Sequence, residues 1–359
     1  MVLMAQNNPL WQDFQAQSDN LRRVIARLLG QEMPRLEQSA AFLENEKPIA
    51  FIGIGSAAYL CEPAAAVLQQ YGRPSYVVCA SDALYNALPS LRAANVVINS
   101  RSGETIEVVK VCQALAQEGI PYILITNEPG STAAQWAKHI IWCDSRKDEL
   151  VSINIVTSMM TATLILALEA MGLLDSFRPA LERLPDTLAE VARKSSAWAG
   201  SIRDLFLETR PIYLLYRGAD KGAAYCGRLV LEEVARRPAI AMEAGDFRQG
   251  PIEVVDARFG AVIFAPQGAQ GKLNRTLAQN ILENQGRVML VGNCAESFAE
   301  NHLNISIADT PNELLSVAAV VPAQVLAYQL AQAQGYAPGQ VRYISRVITT
   351  EEGIPNQGA

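Results

Sequence analysis

The chain has 359 residues, half of them hydrophobic and 18% charged, which suits two ordinary globular domains and excludes a disordered chain. With 30 basic and 36 acidic residues the net charge is −6, the wrong sign for a nucleic-acid binder that must displace counterions from phosphates. The six cysteines show no CxxC spacing, and the start, Met-Val-Leu-Met-Ala-Gln-Asn-Asn-Pro, lacks a basic and then apolar leader. Free thiols in a reducing cytoplasm are expected. The two histidines, His139 and His302, lie far apart, which argues against a zinc site; no metal and no cofactor are expected.

In chain order, Leu21, Ile25, Leu28 and Leu29 recur at helical spacing and make the first forty residues helical. Ile49 to Ile54 reads as a short apolar strand closed by Gly55-Ser56, followed by an Ala-rich helix through Gln70. Further strands are predicted at Ser75–Cys79, Ala94–Asn99, Tyr122–Thr126 and His139–Cys143, with a helix ending near Gly119. Ile155 to Leu174 is long enough to span a membrane, but its threonines and Ser158 dilute it, so a buried core or dimer-interface helix is expected and no membrane partner.

The second half repeats the scheme. Strands are predicted at Pro211–Tyr216, Ala261–Ala265, Arg287–Val291 and Leu303–Ile307, and helices at Lys221–Arg236, Leu273–Gln285 and Leu314–Gln334. Strands alternating with helices imply parallel sheets covered on both faces. The halves match with an offset of about 160 residues, and the seam is expected at Ser195–Asp204. Ser-Arg-Ser-Gly-Glu-Thr at Ser100–Thr105 corresponds to Ala-Pro-Gln-Gly-Ala-Gln at Ala265–Gln270, so the hydroxyls are present in one half only.

Ser100–Thr105 is the strongest local signal. A strand ends, a hydroxyl-rich turn with a glycine follows, and a helix begins. Unpaired N–H groups and the positive end of the helix dipole favour an anion there. Ser100, Ser102 and Thr105 can donate to phosphate oxygens, Arg101 adds a cationic fork, and Gly103 permits close approach. The bland alternative is a helix N-cap, which needs fewer hydroxyls than this turn carries. Gly55-Ser56 lies at the same carboxyl edge, where open α/β sheets bind ligands. The turn has neither the GxGxxG spacing nor a Walker lysine, which disfavours a dinucleotide or nucleoside triphosphate.

Gly-Ile-Gly-Ser-Ala-Ala-Tyr, Ser-Arg-Ser-Gly-Glu-Thr and Ile-Thr-Asn-Glu-Pro-Gly-Ser resemble the sugar isomerase (SIS) domain family. Gly227-Arg-Leu-Val-Leu-Glu-Glu233 and Glu243-Ala-Gly-Asp-Phe-Arg-Gln-Gly-Pro251 follow in the order of double-SIS proteins. Those include the isomerase half of glutamine–fructose-6-phosphate aminotransferase and the fructosamine-6-phosphate deglycases. The resemblance implies an α/β fold of two tandem three-layer αβα, flavodoxin-like domains with parallel sheets. Its expected layout is a helical segment at 1–40, a phosphosugar-binding domain at 41–198, a second domain at 199–338, and a tail at 339–359 closing over the site. It implies a sugar phosphate ligand held by Gly55, Ser56, Ser100, Arg101, Ser102, Thr105, Ser152 and Arg346, a homodimer, and no glutaminase domain.

The resemblance also assigns Glu233 the transfer of a proton between C1 and C2. Without it, Glu233 reads as a helix-surface charge beside Glu232. Gln249 stands where active relatives carry histidine before Gly-Pro; an amide can orient a sugar oxygen but cannot titrate. Val230 and Ser345 or Arg346 stand where the aminosugar synthases carry lysines, and none of the seven lysines follows Lys272. Arginine cannot form a Schiff base. Expected activities are isomerisation, deamination or deglycation of a ketose or aminosugar phosphate; the alternative is a catalytically silent phosphosugar sensor.

Overall fold

The computed structural model describes residues 8–149, 151–293, 300–307 and 309–353; Cys294 lies outside them. Runs rich in Val, Ile and Leu pair as two five-stranded parallel sheets. The first contains β1 (Ile49–Gly53), β2 (Ser75–Cys79), β3 (Asn95–Ser100), β4 (Tyr122–Thr126) and β5 (His139–Trp142), in the order β2-β1-β3-β4-β5. Every residue of β1, β3 and β4 is buried, as strands covered on both faces require. On one face Val108, Val111, Cys112 and Leu115 of the helix Ile106–Gln117 pack on Ile52, Val96, Ile98 and Leu124. The other face carries the helices Met33–Leu43, Glu62–Gln70 and Asn154–Ala170. In the last, every residue from 154 to 168 is buried, as expected for a core helix.

The second sheet contains β6 (Ile212–Tyr216), β7 (Ala239–Glu243), β8 (Gly260–Phe264), β9 (Arg287–Gly292) and β10 (His302–Ser306), in the order β10-β9-β8-β6-β7. Leu277, Ala278 and Ile281 of the helix Ala269–Glu283 cover one face, on Leu215, Ile263 and Leu290. The helices Ala199–Phe206 and Lys221–Val234 pack on the other, and Val321–Ala333 packs against both of them.

The chain divides into two compact units, 16–182 with 341–359, and 1–15 with 183–340. The division at 182/183 falls inside the helix Leu174–Ala197, ahead of the seam expected at Ser195–Asp204. Three differences from the sequence reading stand out. β7 was not anticipated; it follows Pro238 and is only partly buried, so its apolar signal is short. The helix expected from Leu273 begins at Ala269, because Gly268 supplies the positive φ (+89°) that turns the chain into it. The single closing helix is two, Asn312–Ala319 and Val321–Ala333, and Pro322 opens the second. The run Asn312–Ala333 is long and apolar enough to cross a membrane, and 94% of its most apolar window is buried in the protein.

Candidate active site

Both sheets share one topology, and in this strand order the crossover direction reverses between the first and third strands, which opens a crevice at their carboxyl ends. In the first sheet those ends carry Gly55-Ser56 after β1 and Ser100–Thr105 after β3. Gly53 allows a tight exit, since a Cβ there would lie 2.5 Å from the Ala57 backbone. Gly55 follows at φ +57°, and half-buried Ser56 opens the short helix Ser56–Tyr59.

After β3, the Ser100 Oγ accepts the Gly103 N–H at 3.1 Å and the Ser102 Oγ accepts the Glu104 N–H at 3.2 Å. Each hydroxyl keeps its own proton to donate. Neither serine caps the helix, and Thr105, in the N-cap position, makes no side-chain cap bond. Glu104 turns away to accept from the Thr132 N–H at 2.7 Å and hydroxyl at 2.8 Å. The N-cap alternative therefore does not account for these hydroxyls. Gly103 has φ +62°, and a Cβ there would sit 2.0 Å from the Ser131 Oγ.

Arg101 donates from Nη1 to the Ser152 Oγ at 3.3 Å and from Nη2 to the Arg346 carbonyl. The Ile348 carbonyl accepts the first helical N–H, that of Ile106, at 3.1 Å. The tail is held further on by Glu351, which pairs with Lys110 and accepts from the Tyr85 hydroxyl at 2.9 Å. The Lys110 bond and the Tyr85 bond keep the Glu351 carboxyl below its usual range.

Arg101, Ser102, Asn127, Glu128, Lys147, Ile155, Arg346 and Val347 line a cavity of about 210 Å³. Of the residues expected to bind substrate, it contains Arg101, Ser102 and Arg346, and Arg101 ties Ser152 to it. Ser100 is buried beneath the turn; Ser56 leaves the neighbouring strand, and neither these two nor Thr105 and Gly55 are in the cavity wall. Asn127, Glu128 and Lys147 were not anticipated as site residues, although Asn127 and Glu128 stand inside the quoted Ile-Thr-Asn-Glu-Pro-Gly-Ser motif. Asn127 is structural, exchanging two hydrogen bonds with the Ser145 backbone at 2.6 and 3.0 Å.

A second helix start in this unit shows the contrast. The buried Asp148 carboxylate accepts from the N–H groups of Ile153, Asn154 and Ile155 at 2.9–3.1 Å, so the chain supplies its own anion to the helix Asn154–Ala170. Burial pushes the Cys112 and Cys143 thiols up to about 12, which rules them out as nucleophiles at neutral pH. Among the described residues, no three His, Cys, Asp or Glu side chains are grouped to hold a metal ion.

Glu233 and Gln249 belong to the other unit. Glu233 is half-buried on the helix Lys221–Val234, and its charge adds to the burial that pushes the Cys226 thiol up to about 12. Gln249 is exposed in the turn after the helix Ala244–Phe247, its N–H donating to the Asp246 carbonyl at 2.9 Å.

Residues 42–169, which contain the whole first sheet, match the family model described as SIS domain. The stretch that carries the hydroxyl-rich turn is thus similar to a SIS domain. Sequence relatives include glutamine–fructose-6-phosphate aminotransferases (isomerizing) of Pyrobaculum aerophilum, 26% identical over 332 residues, and Caldanaerobacter subterraneus, 27% over 335 residues. These alignments cover 90% and 86% of this chain but 54% and 53% of the relatives, so the chain spans about half their length. Among solved structures, the C-terminal domain of the Francisella tularensis glucosamine-fructose-6-phosphate aminotransferase superposes with TM-score 0.80 at 18% identity, covering 92% of this chain and 96% of that one. Glucosamine-6-phosphate deaminase of Thermotoga maritima gives 0.76 at 18% identity, covering 95% and 99%. At such identities the likeness speaks for the fold. The resemblance to SIS proteins and to the isomerase half of the aminotransferase is borne out at that level.

Proposed function

We propose that the carboxyl edge of the SIS sheet binds the phosphate of a phosphorylated ketose or aminosugar, and that the chain is an enzyme that moves a proton between C1 and C2. One observation carries this reading. The Arg101 guanidinium and the first helical N–H are engaged by tail carbonyls, beside two serine hydroxyls with protons left to give. A carbonyl carries no net charge, so a phosphate dianion makes the stronger partner for the same donors.

The same reading takes the chain as two tandem SIS domains, 41–198 and 199–338, between a helical segment at 1–40 and a tail at 339–359, in a cytoplasmic homodimer. Glu233 would take a proton from one carbon of the open-chain sugar and return it to the neighbouring one. Such a transfer needs no redox partner. Gln249 would orient a sugar oxygen without titrating. Isomerisation, deamination and deglycation all begin with this proton step.

The test is exchange of the C1 and C2 hydrogens with deuterated solvent over a panel of hexose, pentose and aminosugar phosphates. Wild type is expected to exchange at least one. Glu233→Gln is expected to abolish exchange while leaving phosphate binding nearly intact, and Gln249→His to speed it by about 10²–10⁴-fold in favourable geometry. Gln249 itself favours a second reading, a silent phosphosugar sensor, because an amide stands where the resemblance calls for imidazole. Binding without exchange across the panel would establish the sensor.

A further inference from the structure

The cavity at the SIS-sheet edge has a carboxylate in its wall. Glu128 lies two residues past the end of β4 and Lys147 five residues past the end of β5, and both line the space that Arg101 and Arg346 line. Lys147 Nζ sits 2.9 Å from Glu128 Oε1. A carboxylate beside a phosphate site repels the ligand's phosphate, so its presence in this wall calls for a counter-charge. In the free protein Lys147 supplies it. The two side chains are 67% and 45% exposed. An ion pair this open to water is weak and exchangeable.

We propose that Glu128 is the subsite for a positively charged amine on the phosphosugar, with Lys147 as its placeholder. The inference rests on the phosphosugar reading above and narrows it to amine-bearing ligands. The geometry of the pair demonstrates that an ammonium fits against Glu128. A ligand ammonium takes the position by exchange, one cation for another, and Lys147 is released within the wall that receives the phosphate. A sugar hydroxyl is a neutral donor and cannot displace an ammonium from a carboxylate, so an unaminated phosphosugar leaves the pair closed. The arrangement therefore discriminates by charge at one atom of the ligand.

The experiment is calorimetric titration of the full chain with glucosamine 6-phosphate, glucose 6-phosphate and inorganic phosphate, in wild type, Glu128→Gln and Lys147→Met. Wild type is expected to prefer the amine by about tenfold, the scale of one hydrogen bond to a charged group. Glu128→Gln should bring the two sugars within about twofold of each other. Lys147→Met should weaken both sugars, because a cation leaves the wall, yet widen the preference for the amine, because the competitor is gone. A purely structural ion pair would leave the ratio unmoved in both variants. Binding of both sugars with a ratio near one in wild type, or a tenfold ratio that survives Glu128→Gln, overturns the inference and leaves the phosphosugar reading standing. Binding of neither sugar and no phosphate overturns both.

Discussion

The two sheets share one strand order and one turn geometry, yet the side chains at their carboxyl edges are engaged differently. Gly55 and Gly218 have φ of +57° and +56°, and Gly103 and Gly268 have +62° and +89°, so each first-sheet turn has its counterpart. In the first sheet the turn after β3 presents Arg101 and Ser102 to a cavity, with the Ser100 hydroxyl buried beneath them. In the second sheet Arg217 is spent internally, donating to Glu243 Oε1 at 2.8 Å and to Asn274 Oδ1 at 2.9 Å. Glu243 in turn accepts the N–H groups of Gly245 and Asp246. The turn before the helix Ala269–Glu283 is closed by Asn312, which accepts the Gln267 N–H at 3.0 Å and donates to its carbonyl at 3.1 Å. The two edges share their turn geometry and differ in side chains: Arg101 faces a cavity, whereas Arg217 is held by Glu243 and Asn274.

Four substitutions break or sharpen this contrast. Gly103→Ala should do the most damage, about 3 kcal/mol, because it combines an unfavourable positive φ with a Cβ driven into Ser131. Chemical denaturation would measure the loss, and phosphate titration should show the turn no longer closing on its ligand.

Asp220→Asn tests the closed edge. Burial lifts the Asp220 carboxyl to about 8, and neither of its oxygens has a hydrogen-bond partner. An acid whose folded pKa is raised favours folding at low pH; stability then falls as pH climbs from about 4 to about 8 and levels above. The linkage amounts to about 4 kcal/mol at pH 7, from which the amide's own unmet bonds subtract, leaving a gain of about 2 kcal/mol. Thermal melts across pH should show Asp220→Asn more stable at pH 7, equal to wild type at about pH 5, and less stable below that.

Arg217→Met removes the partner of a half-buried carboxylate. With Arg217 and Glu243 at 18% and 33% side-chain exposure, the cost is discounted for water to about 1–2 kcal/mol. Phosphosugar affinity should not change, since the proposed phosphate site lies at the edge of the first sheet. Smallest of all, Glu351→Gln loosens the tail from Lys110 and Tyr85. Ligand affinity should rise slightly, as the tail carbonyls compete less well for Arg101 and the Ile106 N–H.

Much of this contrast was legible in the chain. Two strands, Ser75–Cys79 and Tyr122–Thr126, have the bounds their apolar runs predict. The hydroxyls of Ser100–Thr105 are absent from Ala265–Gln270, and it is beside the first of these turns that the cavity with Arg101 and Ser102 in its wall lies. What sequence could not supply was which groups close the other edge. The Arg217–Glu243 pair joins residues from the ends of β6 and β7, and β7 itself was missed because its pattern is short and half-buried. Glu128 and Lys147 reach the first-sheet cavity from the exits of β4 and β5, so only the sheet order makes them neighbours of Arg101. Helix breaks at prolines, as at Pro322, were likewise a matter of packing that an apolar run hides.

The most direct measurement is calorimetric titration of wild type and of the Ser100→Ala, Ser102→Ala double variant with a phosphosugar that wild type binds. Removing two donors from a phosphate should cost about 1–3 kcal/mol each, so affinity is expected to fall at least tenfold. Arg217→Met, at the closed edge, should bind as wild type does. Unchanged affinity in the serine variant, or loss of binding in Arg217→Met instead, would contradict the assignment of the site to the carboxyl edge of the first sheet.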